Sequence, residues 1–506
     1  MNRNLAKNTI IIAGITAFSK VLGFLRDAVL AYFYGANGVS DAYLVAQTIP
    51  EFAFSLVIQA IAVGYIPIYM ELKKEDDGEK KAKEFTNTLM TDTYLLCLIL
   101  IIVINIFPRP FVYLFASGFS NETTEIAVML VRIIVIAMLG KSTVSIIGAF
   151  LQANNDFIKN AIVGIPYDLI IIVSIAVSSF SNVSILGWGI VLATLVQAII
   201  VSTGTGKYNY HFKTHLDLKS PYIKKMTKLF LPVCVGVGAN QINLIVDRTF
   251  ASLVAVGGIS AMNYANKVSN IMENIIVLSI ATVMYPAFSN YVANKEYKLL
   301  NETAVETLNM VSVVMAPIAA GTMIFSNEIV TILFGRGAFD QSATHLTVQA
   351  MTFYSIGIVF VAWRAILTRV FYSLQKVHLV TINSCIAIGF NVVGNFVLAK
   401  PMGIAGLALS TSISSFLAVI LMLLSLRKIL HMPFKMLGRE NLKIIIATIV
   451  MTIWCLLSFN YMVSEINLYI ALILSITTSA LIYFGVSIVL KIESLKKITT
   501  MVKQRI

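Results

Sequence analysis

The chain has 506 residues, of which 58% are hydrophobic and 12% are charged, and its formal net charge is +13. Because about a quarter of the residues of a soluble domain are charged, this composition excludes an ordinary water-soluble fold. It indicates a polytopic, all-α protein of the lipid bilayer. The positive charge does not indicate nucleic-acid binding, since no loop combines a basic stripe with interleaved aromatic residues.

The hydrophobic segments have the length of membrane-spanning helices. A span needs roughly 20 mainly apolar residues, so the first segment is too long to be the apolar part of a cleaved signal peptide. By this criterion we predict about fourteen transmembrane helices, which lie, in chain order, near residues 8–34, 42–70, 87–107, 124–152, 160–180, 184–203, 226–254, 261–290, 303–325, 345–373, 377–399, 403–426, 441–461 and 467–490.

The loops between these helices differ in charge. Nearly all loop Lys and Arg residues lie in alternate loops, and the richest segments are 71–85, 206–228, 426–443 and the tail after residue 491. Cytoplasmic loops of membrane proteins carry the excess of Lys and Arg. We therefore expect a multi-pass membrane protein with both termini in the cytoplasm.

The sequence contains a short internal repeat. Gly38-Val39-Ser40 opens the second predicted helix and Gly258-Ile259-Ser260 opens the eighth, and Tyr65-Ile66-Pro67 and Tyr285-Pro286 follow at matching distances. An even number of helices between the copies gives both halves the same orientation, as in transporters with parallel repeats. The predicted division is an N-terminal lobe of helices 1–6 (residues 1–205), a cytoplasmic linker (206–228), a C-terminal lobe of helices 7–12 (229–428), and helices 13–14 with a cytoplasmic tail (429–506).

Charged residues inside the predicted spans are the main functional signal. Such residues are costly in a bilayer and usually face a cavity or a partner. Basic residues outnumber acidic ones: the bases are Lys20, Arg26, Arg132, Lys141, Arg248, Lys267, Arg364 and Arg369, and the acids are Asp27, Glu51, Asp168, Asp247 and Glu273. A cavity with surplus positive charge favours an anionic substrate such as a phosphate.

The same charges are open to structural roles. Arg26 can bond a nearby acid while the long Lys20 side chain reaches the membrane surface, and Lys267 can pair with Glu273 or Asp27. Lys20 and Arg26 are six residues apart, about 240° around an α-helix, so only a wide cavity exposes both.

A second polar group lies in the C-terminal lobe. Asn391 and Asn395 share a face of helix 11, and helix 12 carries Ser410-Thr411-Ser412. Asp247, the two asparagines and Thr411 are a candidate site for a coupling ion, Na⁺ or H⁺, and the alternative is ordinary interhelical hydrogen bonding. Asp247 and Arg248 are equally open to neutralising charges between the lobes.

The sequence does not indicate an enzyme. It has no nucleophile–base motif and no Gly-rich phosphate loop. The cysteines lie far apart in apolar segments, and no histidine cluster has metal-ligand spacing. We therefore expect a non-enzymatic protein without a cofactor or metal.

Two groups of motifs resemble one transporter family. Ser19-Lys20-Val21-Leu22-Gly23-Phe24-Leu25-Arg26-Asp27, followed by Gly35-Ala36 and Asp41-Ala42, resembles the S-R-x-x-G-F-x-R-D…G-A…D-A opening of the MurJ (MviN) family. That family comprises the lipid II flippases of bacterial cell-wall synthesis, within the MOP exporter superfamily. Residues 247–267 and Met284-Tyr285-Pro286 look like the family's seventh and eighth helices, and the arrangement of six, six and two helices also fits.

The resemblance implies a function and a set of residues. It implies a transporter of the bacterial cytoplasmic membrane that flips lipid II, or a related undecaprenyl-pyrophosphate lipid, to the outer leaflet by alternating access, in contact with membrane lipids and with a cell-wall synthesis complex as a candidate partner. Helices 13 and 14 would hold the polyprenyl tail. The implied pyrophosphate-binding cations are Lys20, Arg26 and Lys267, and the supporting acidic or gating residues are Asp27, Asp41 and Asp247.

The chain departs from the family pattern at three places. Lys20 and Lys267 stand where the family usually has Arg, which keeps the charge but loses the bidentate fork, and Phe54 lies where many relatives have a basic residue. These departures keep open a flippase for another polyprenyl-pyrophosphate-linked oligosaccharide and, less favoured, a multidrug exporter. A scaffold or a polyprenyl-linked glycosyltransferase is disfavoured, because the outer loops are short and nearly uncharged.

Overall fold

The computed structural model describes residues 3–217, 220–430 and 434–497, and side chains from Ile11 onward except those of 227, 229–235, 272–276, 278 and 434–436. Within these ranges the chain forms helices and loops and no strand, which confirms the predicted all-α membrane fold. The helices are α1 (Arg3–Tyr34), α2 (Gly38–Leu72), α3 (Gly78–Ile106), α4 (Pro108–Phe115), α5 (Asn121–Ile134), α6 (Ala137–Ala153), α7 (Ile158–Ile162), α8 (Gly164–Phe180), α9 (Ser184–Ser202), α10 (Pro221–Val254), α11 (Gly258–Ala293), α12 (Tyr297–Ile324), α13 (Ser326–Phe334), α14 (Gln341–Ser373), α15 (Val377–Met402), α16 (Ile404–Leu430), α17 (Phe434–Glu465) and α18 (Leu468–Val489).

The helices include many that are long and apolar enough to cross a bilayer. Among the described residues, 10 single helices meet this requirement, and the pair α5 and α6 raises the number to 11. The predicted spans at 8–34, 226–254 and 261–290 are helical as α1, α10 and α11. The total of fourteen spans stays a prediction.

The span predicted at 124–152 is broken. It consists of α5 and α6, which are bent by 45° at their junction. The junction, Val135–Ile136, contains neither proline nor glycine, so the usual sequence signal of a kink is missing. The break places Lys141 close to the start of α6.

The chain divides into two compact units, and unit 1 comprises Met1–Ser260 and Phe334–Ala343. One core of this unit is built from aromatic side chains: Tyr65 stacks on Tyr69 and on Phe85, each with a centroid distance of 5.6 Å. Tyr210, from the segment after α9, packs 4.9 Å from Phe150. Its hydroxyl donates to Asn87 Oδ1 at 2.8 Å, which anchors this segment to the helices of unit 1.

Glycines allow three loops of unit 1 to approach one another. Gly257 has φ +81°, and a Cβ there would lie 2.1 Å from the carbonyl oxygen of Ala36. Gly35 has φ +64°, and a Cβ there would lie 2.4 Å from the carbonyl oxygen of Ala338. Both positions therefore require the conformational freedom and the small size of glycine.

Unit 2 comprises Ala261–Leu333 and Thr344–Ile506. Its largest described core contains Leu308, Leu367, Phe371 and Met422, from α12, α14 and α16. The helices α17 and α18 pack on α12 through a smaller core around Val313. There the buried Tyr483 hydroxyl donates to the Val313 carbonyl at 2.8 Å, as expected for a polar group that a helix bundle buries.

Candidate functional site

Arg26 lies inside unit 1 between two carboxylates. Its Nε and Nη2 both donate to Asp27 Oδ1 at 3.1 Å, and its Nη1 donates to Asp168 Oδ1 at 3.0 Å. The exposed fraction of the side chains is 19% for Arg26, 6% for Asp27 and 9% for Asp168. Arg26 therefore forms the bond to a nearby acid, Asp27, that the sequence offered as an alternative role. It also bonds Asp168 on α8, which is distant in sequence.

Lys20 lies on α1 one and two-thirds turns before Arg26. Its side chain is exposed, whereas Arg26 is largely enclosed. The two cations thus have different surroundings on the same helix. Their shared role in holding a pyrophosphate stays a prediction.

A further ion pair joins α2 and α6 within the predicted spans. Lys141 Nζ donates to Glu51 Oε1 at 2.7 Å. The exposed fraction is 20% for the Lys141 side chain and 56% for that of Glu51. The sequence places both residues inside spans but gives no signal that they pair, because they are 90 positions apart.

Arg248 on α10 completes a polar cluster in unit 1. It interacts electrostatically with Glu51 and with Asp41. Its Nη1 is buried and has no hydrogen-bond partner within the described part of the chain. We define the polar cluster of unit 1 as the cations Arg26, Lys141 and Arg248 with the carboxylates Asp27, Asp41, Glu51 and Asp168. This cluster holds four carboxylates and three cations, so the excess of basic residues counted along the chain is not found here.

Asp41 caps the N-terminus of α11. Its Oδ2 accepts from the Gly257 backbone N–H at 2.8 Å, and its Oδ1 accepts from the Ser260 N–H at 2.7 Å and from the Ser260 hydroxyl at 2.5 Å. The Asp41 side chain is buried. A carboxylate at this position satisfies otherwise unpaired N–H groups and faces the positive end of the helix dipole. The geometry gives Asp41 a capping role, and its predicted gating role stays a prediction.

The candidate residues for a coupling ion fall in both units. In unit 2, Asn391 Nδ2 lies 3.3 Å from the hydroxyls of Ser410 and Thr411, and Asn395 Nδ2 donates to Asn391 Oδ1 at 3.4 Å. The structure thus brings the two asparagines and Thr411 together by interhelical hydrogen bonds. Asp247 lies in unit 1, where its Oδ2 accepts from Asn243 at 3.0 Å. An ion site made from these residues stays a prediction.

Lys267, the third predicted substrate cation, lies on α11 in unit 2. Its side chain is partly buried, and of its two neighbours in sequence Asn266 is exposed and Val268 is buried. A small cavity of about 70 Å³ in unit 2 has both polar and apolar lining residues, among them Asn266, Asn270, Ile358, Val361 and Thr411. Lys267 directly follows Asn266, which lines this cavity, and its role in binding pyrophosphate stays a prediction.

The family model described as "Lipid II flippase MurJ" matches residues 30–480. A relative named "Probable lipid II flippase MurJ" from Buchnera aphidicola subsp. Acyrthosiphon pisum (strain APS) is 28% identical over 463 residues and covers 89% of each chain. The "Lipid II flippase MurJ" of Burkholderia cenocepacia is 24% identical over 478 residues, which are 90% of this chain and 91% of the relative.

Solved structures share the fold. The structure titled "Lipid II flippase MurJ, inward closed conformation" has a TM-score of 0.81 at 23% identity, and the match covers 94% of this chain and 98% of that one. An inward-facing multidrug resistance MATE family transporter of the MOP superfamily has a TM-score of 0.65 at 15% identity, over 83% of this chain and 98% of its own. The MurJ structure thus matches more of this chain than the MATE transporter does. With a family match over most of its length, the chain belongs to the lipid II flippase MurJ family.

Proposed function

We propose that this chain flips lipid II from the inner to the outer leaflet of the bacterial cytoplasmic membrane by alternating access. The observation that carries this proposal is the family match over residues 30–480, which includes α17 and part of α18. The MurJ structure also aligns with more of the chain than the MATE transporter structure does, 94% against 83%.

In this proposal Lys20, Arg26 and Lys267 bind the pyrophosphate of the substrate. The geometry of Arg26 supports its part. A guanidinium group has five N–H donors, and the bonds to Asp27 and Asp168 use one on each nitrogen. Each Nη therefore keeps a second N–H, and the two carboxylates fix the direction in which these donors point.

The helix pair α17 and α18 is proposed to accommodate the polyprenyl tail. The pair is fixed to α12 through the core around Val313. Its outward faces carry exposed apolar side chains, among them Leu457, Ile473, Leu481 and Ile488. Exposed apolar side chains of this kind suit an isoprenoid chain that remains in the lipid while the polar headgroup crosses.

The energy source is proposed to be the membrane potential or an ion gradient. Each elementary charge that moves through the potential contributes about 2.3 kcal/mol per 100 mV. A pyrophosphate lipid carries negative charge, so its net movement together with cationic side chains depends on the potential. The cluster of Asn391, Asn395 and Thr411 is the proposed location of a coupling ion, if an ion gradient contributes.

The direct test is rescue of a bacterium whose own lipid II flippase is depleted. We expect this chain to restore growth and to expose lipid II at the outer leaflet, measured with a membrane-impermeant enzyme that cleaves the lipid II headgroup. Failure to restore either, at normal membrane abundance of the chain, would favour another polyprenyl-pyrophosphate-linked oligosaccharide or a drug as the substrate.

A further inference from the structure

The ion pair between Lys141 and Glu51 has no role in the function as proposed so far. We infer that Lys141 is an additional phosphate-binding cation, and that Glu51 is a resident counter-ion which the substrate's pyrophosphate displaces toward Arg248. This inference rests on the proposed function, because it assumes a pyrophosphate-linked substrate.

The pair lies deep in the membrane and is accessible. Glu51 is thirteen residues from the start of α2 at Gly38, about 20 Å along the helix axis. The exposed fraction of its side chain is nevertheless 56%. A carboxylate at this depth is not stable against lipid tails, so it faces a space that admits water and polar ligands. Lys141 borders the same space through its bond to Glu51.

The carboxylates of the polar cluster differ in how easily a ligand can replace them. Asp27 and Asp168 hold Arg26 with side chains that are 6% and 9% exposed. Glu51 holds Lys141 with a side chain that is 56% exposed. An incoming phosphate oxygen therefore meets Glu51 first, and exchange there needs no change in the enclosed Arg26 pairs. Lys141 also interacts electrostatically with Arg26, so one anion can be attracted by both cations.

Arg248 supplies a new partner for the displaced carboxylate. Its Nη1 is buried without a hydrogen-bond partner among the described residues, and it interacts electrostatically with Glu51. A buried guanidinium donor that makes no hydrogen bond destabilises the protein, because its lost interaction with water is not replaced. When Glu51 leaves Lys141, a bond to Arg248 satisfies this donor. Substrate binding would thus exchange one ion pair, Lys141 with Glu51, for two: Lys141 with phosphate and Arg248 with Glu51.

The competing explanation is a static clamp between α2 and α6. A clamp is weakened by loss of either partner, so both neutral variants would change binding in the same direction. The exchange predicts that the two neutral variants change the affinity for the pyrophosphate lipid in opposite directions. Lys141→Met removes a ligand of the phosphate, whereas Glu51→Gln removes its competitor.

The test uses the full-length chain in lipid nanodiscs and measures binding of undecaprenyl pyrophosphate and of undecaprenol, which has the same tail without charge. We expect Lys141→Met to weaken undecaprenyl pyrophosphate binding about tenfold or more. We expect Glu51→Gln to tighten it about threefold. Neither variant should change undecaprenol binding. Lys141→Arg keeps the charge and should retain most of the affinity.

The matched control is the ion pair of Lys81 with Glu75, which has an N–O distance of 2.9 Å and lies at the α2–α3 connection of the same unit. Lys81→Met and Glu75→Gln should leave both affinities unchanged. Weaker pyrophosphate binding in both Lys141→Met and Glu51→Gln, or no change in either, would overturn the exchange. If the wild-type chain binds both lipids equally, the proposed function itself fails.

Discussion

Asp41 on α2 accepts two hydrogen bonds from Ser260 on α11, one from the backbone N–H at 2.7 Å and one from the hydroxyl at 2.5 Å. Ser40 and Ser260 are equivalent positions of the internal repeat, and their hydroxyl oxygens lie 2.9 Å apart. The starts of two repeat-related helices are therefore joined by one buried carboxylate.

Replacing this carboxylate should destabilise the protein. We expect Asp41→Ala to lower the free energy of unfolding by roughly 2 kcal/mol or more, because the N–H groups of Gly257 and Ser260 lose their buried acceptor. The measurement is thermal denaturation of the purified protein. The control is Ser120→Ala, which removes the ordinary cap of α5 at Thr123 and should cost only about 1 kcal/mol. Equal losses of stability in the two variants would contradict a larger stabilising contribution of the Asp41 cap.

The guanidinium group of Arg26 should be needed for transport. We expect Arg26→Lys to support little growth in a flippase-depleted strain, because an ammonium group cannot bond Asp27 and Asp168 in the same fixed geometry. Asp168→Asn should impair growth less, since Asp27 still neutralises Arg26. Protein abundance in the membrane is measured beside growth. Full growth with Arg26→Lys would contradict a directional role of the guanidinium group.

The close approach of Gly257 to Ala36 should not tolerate a side chain. We expect Gly257→Ala to reduce the yield of folded protein sharply, because the left-handed φ costs about 1 kcal/mol and the added Cβ would overlap a backbone oxygen. Gly206→Ala, where a Cβ would meet nothing within 4 Å, is the matched control. The readout is the monomeric fraction in size-exclusion chromatography, and similar yields would contradict the close approach.

The linker after α9 should be held in place by Tyr210. We expect Tyr210→Ala to accelerate cleavage by trypsin at Lys213, because the variant loses both the packing on Phe150 and the hydrogen bond to Asn87. Burial raises the pKa of the Tyr210 hydroxyl, so it stays protonated and able to donate at neutral pH. Tyr210→Phe should lose only the hydrogen bond, which contributes about 1 kcal/mol to stability. Its cleavage rate should therefore be intermediate. Equal cleavage of all three proteins would show that the linker is held elsewhere.

Sequence reasoning predicted the helices well because each depends on a local apolar run. All fourteen predicted ranges lie largely within observed helices. The bend at Val135–Ile136 was not predicted, since it does not interrupt the hydrophobic pattern. The short helices α4 and α13 were not predicted either, because each lies in a segment between predicted spans and is shorter than a span. They arise from packing of the whole unit, which a window along the sequence does not contain.

The candidate site was predictable only in part. Arg26 and Asp27 are neighbours, so their pairing was open to sequence reasoning, but Asp168 is 142 positions away and joins them only when α8 packs on α1. The repeat drew attention to Ser40 and Ser260 without revealing that Asp41 caps α11. Distant pairs of this kind depend on helix packing, and a single sequence carries no local signal for them.

The most direct test of the account is the transbilayer movement of lipid II in cells that depend on this chain as their flippase. We predict that the wild-type chain brings lipid II to the outer leaflet and that Arg26→Ala, at equal membrane abundance, leaves it in the inner leaflet. Wild-type cells that grow without lipid II reaching the outer leaflet, or Arg26→Ala cells that export it at the wild-type rate, would contradict the account.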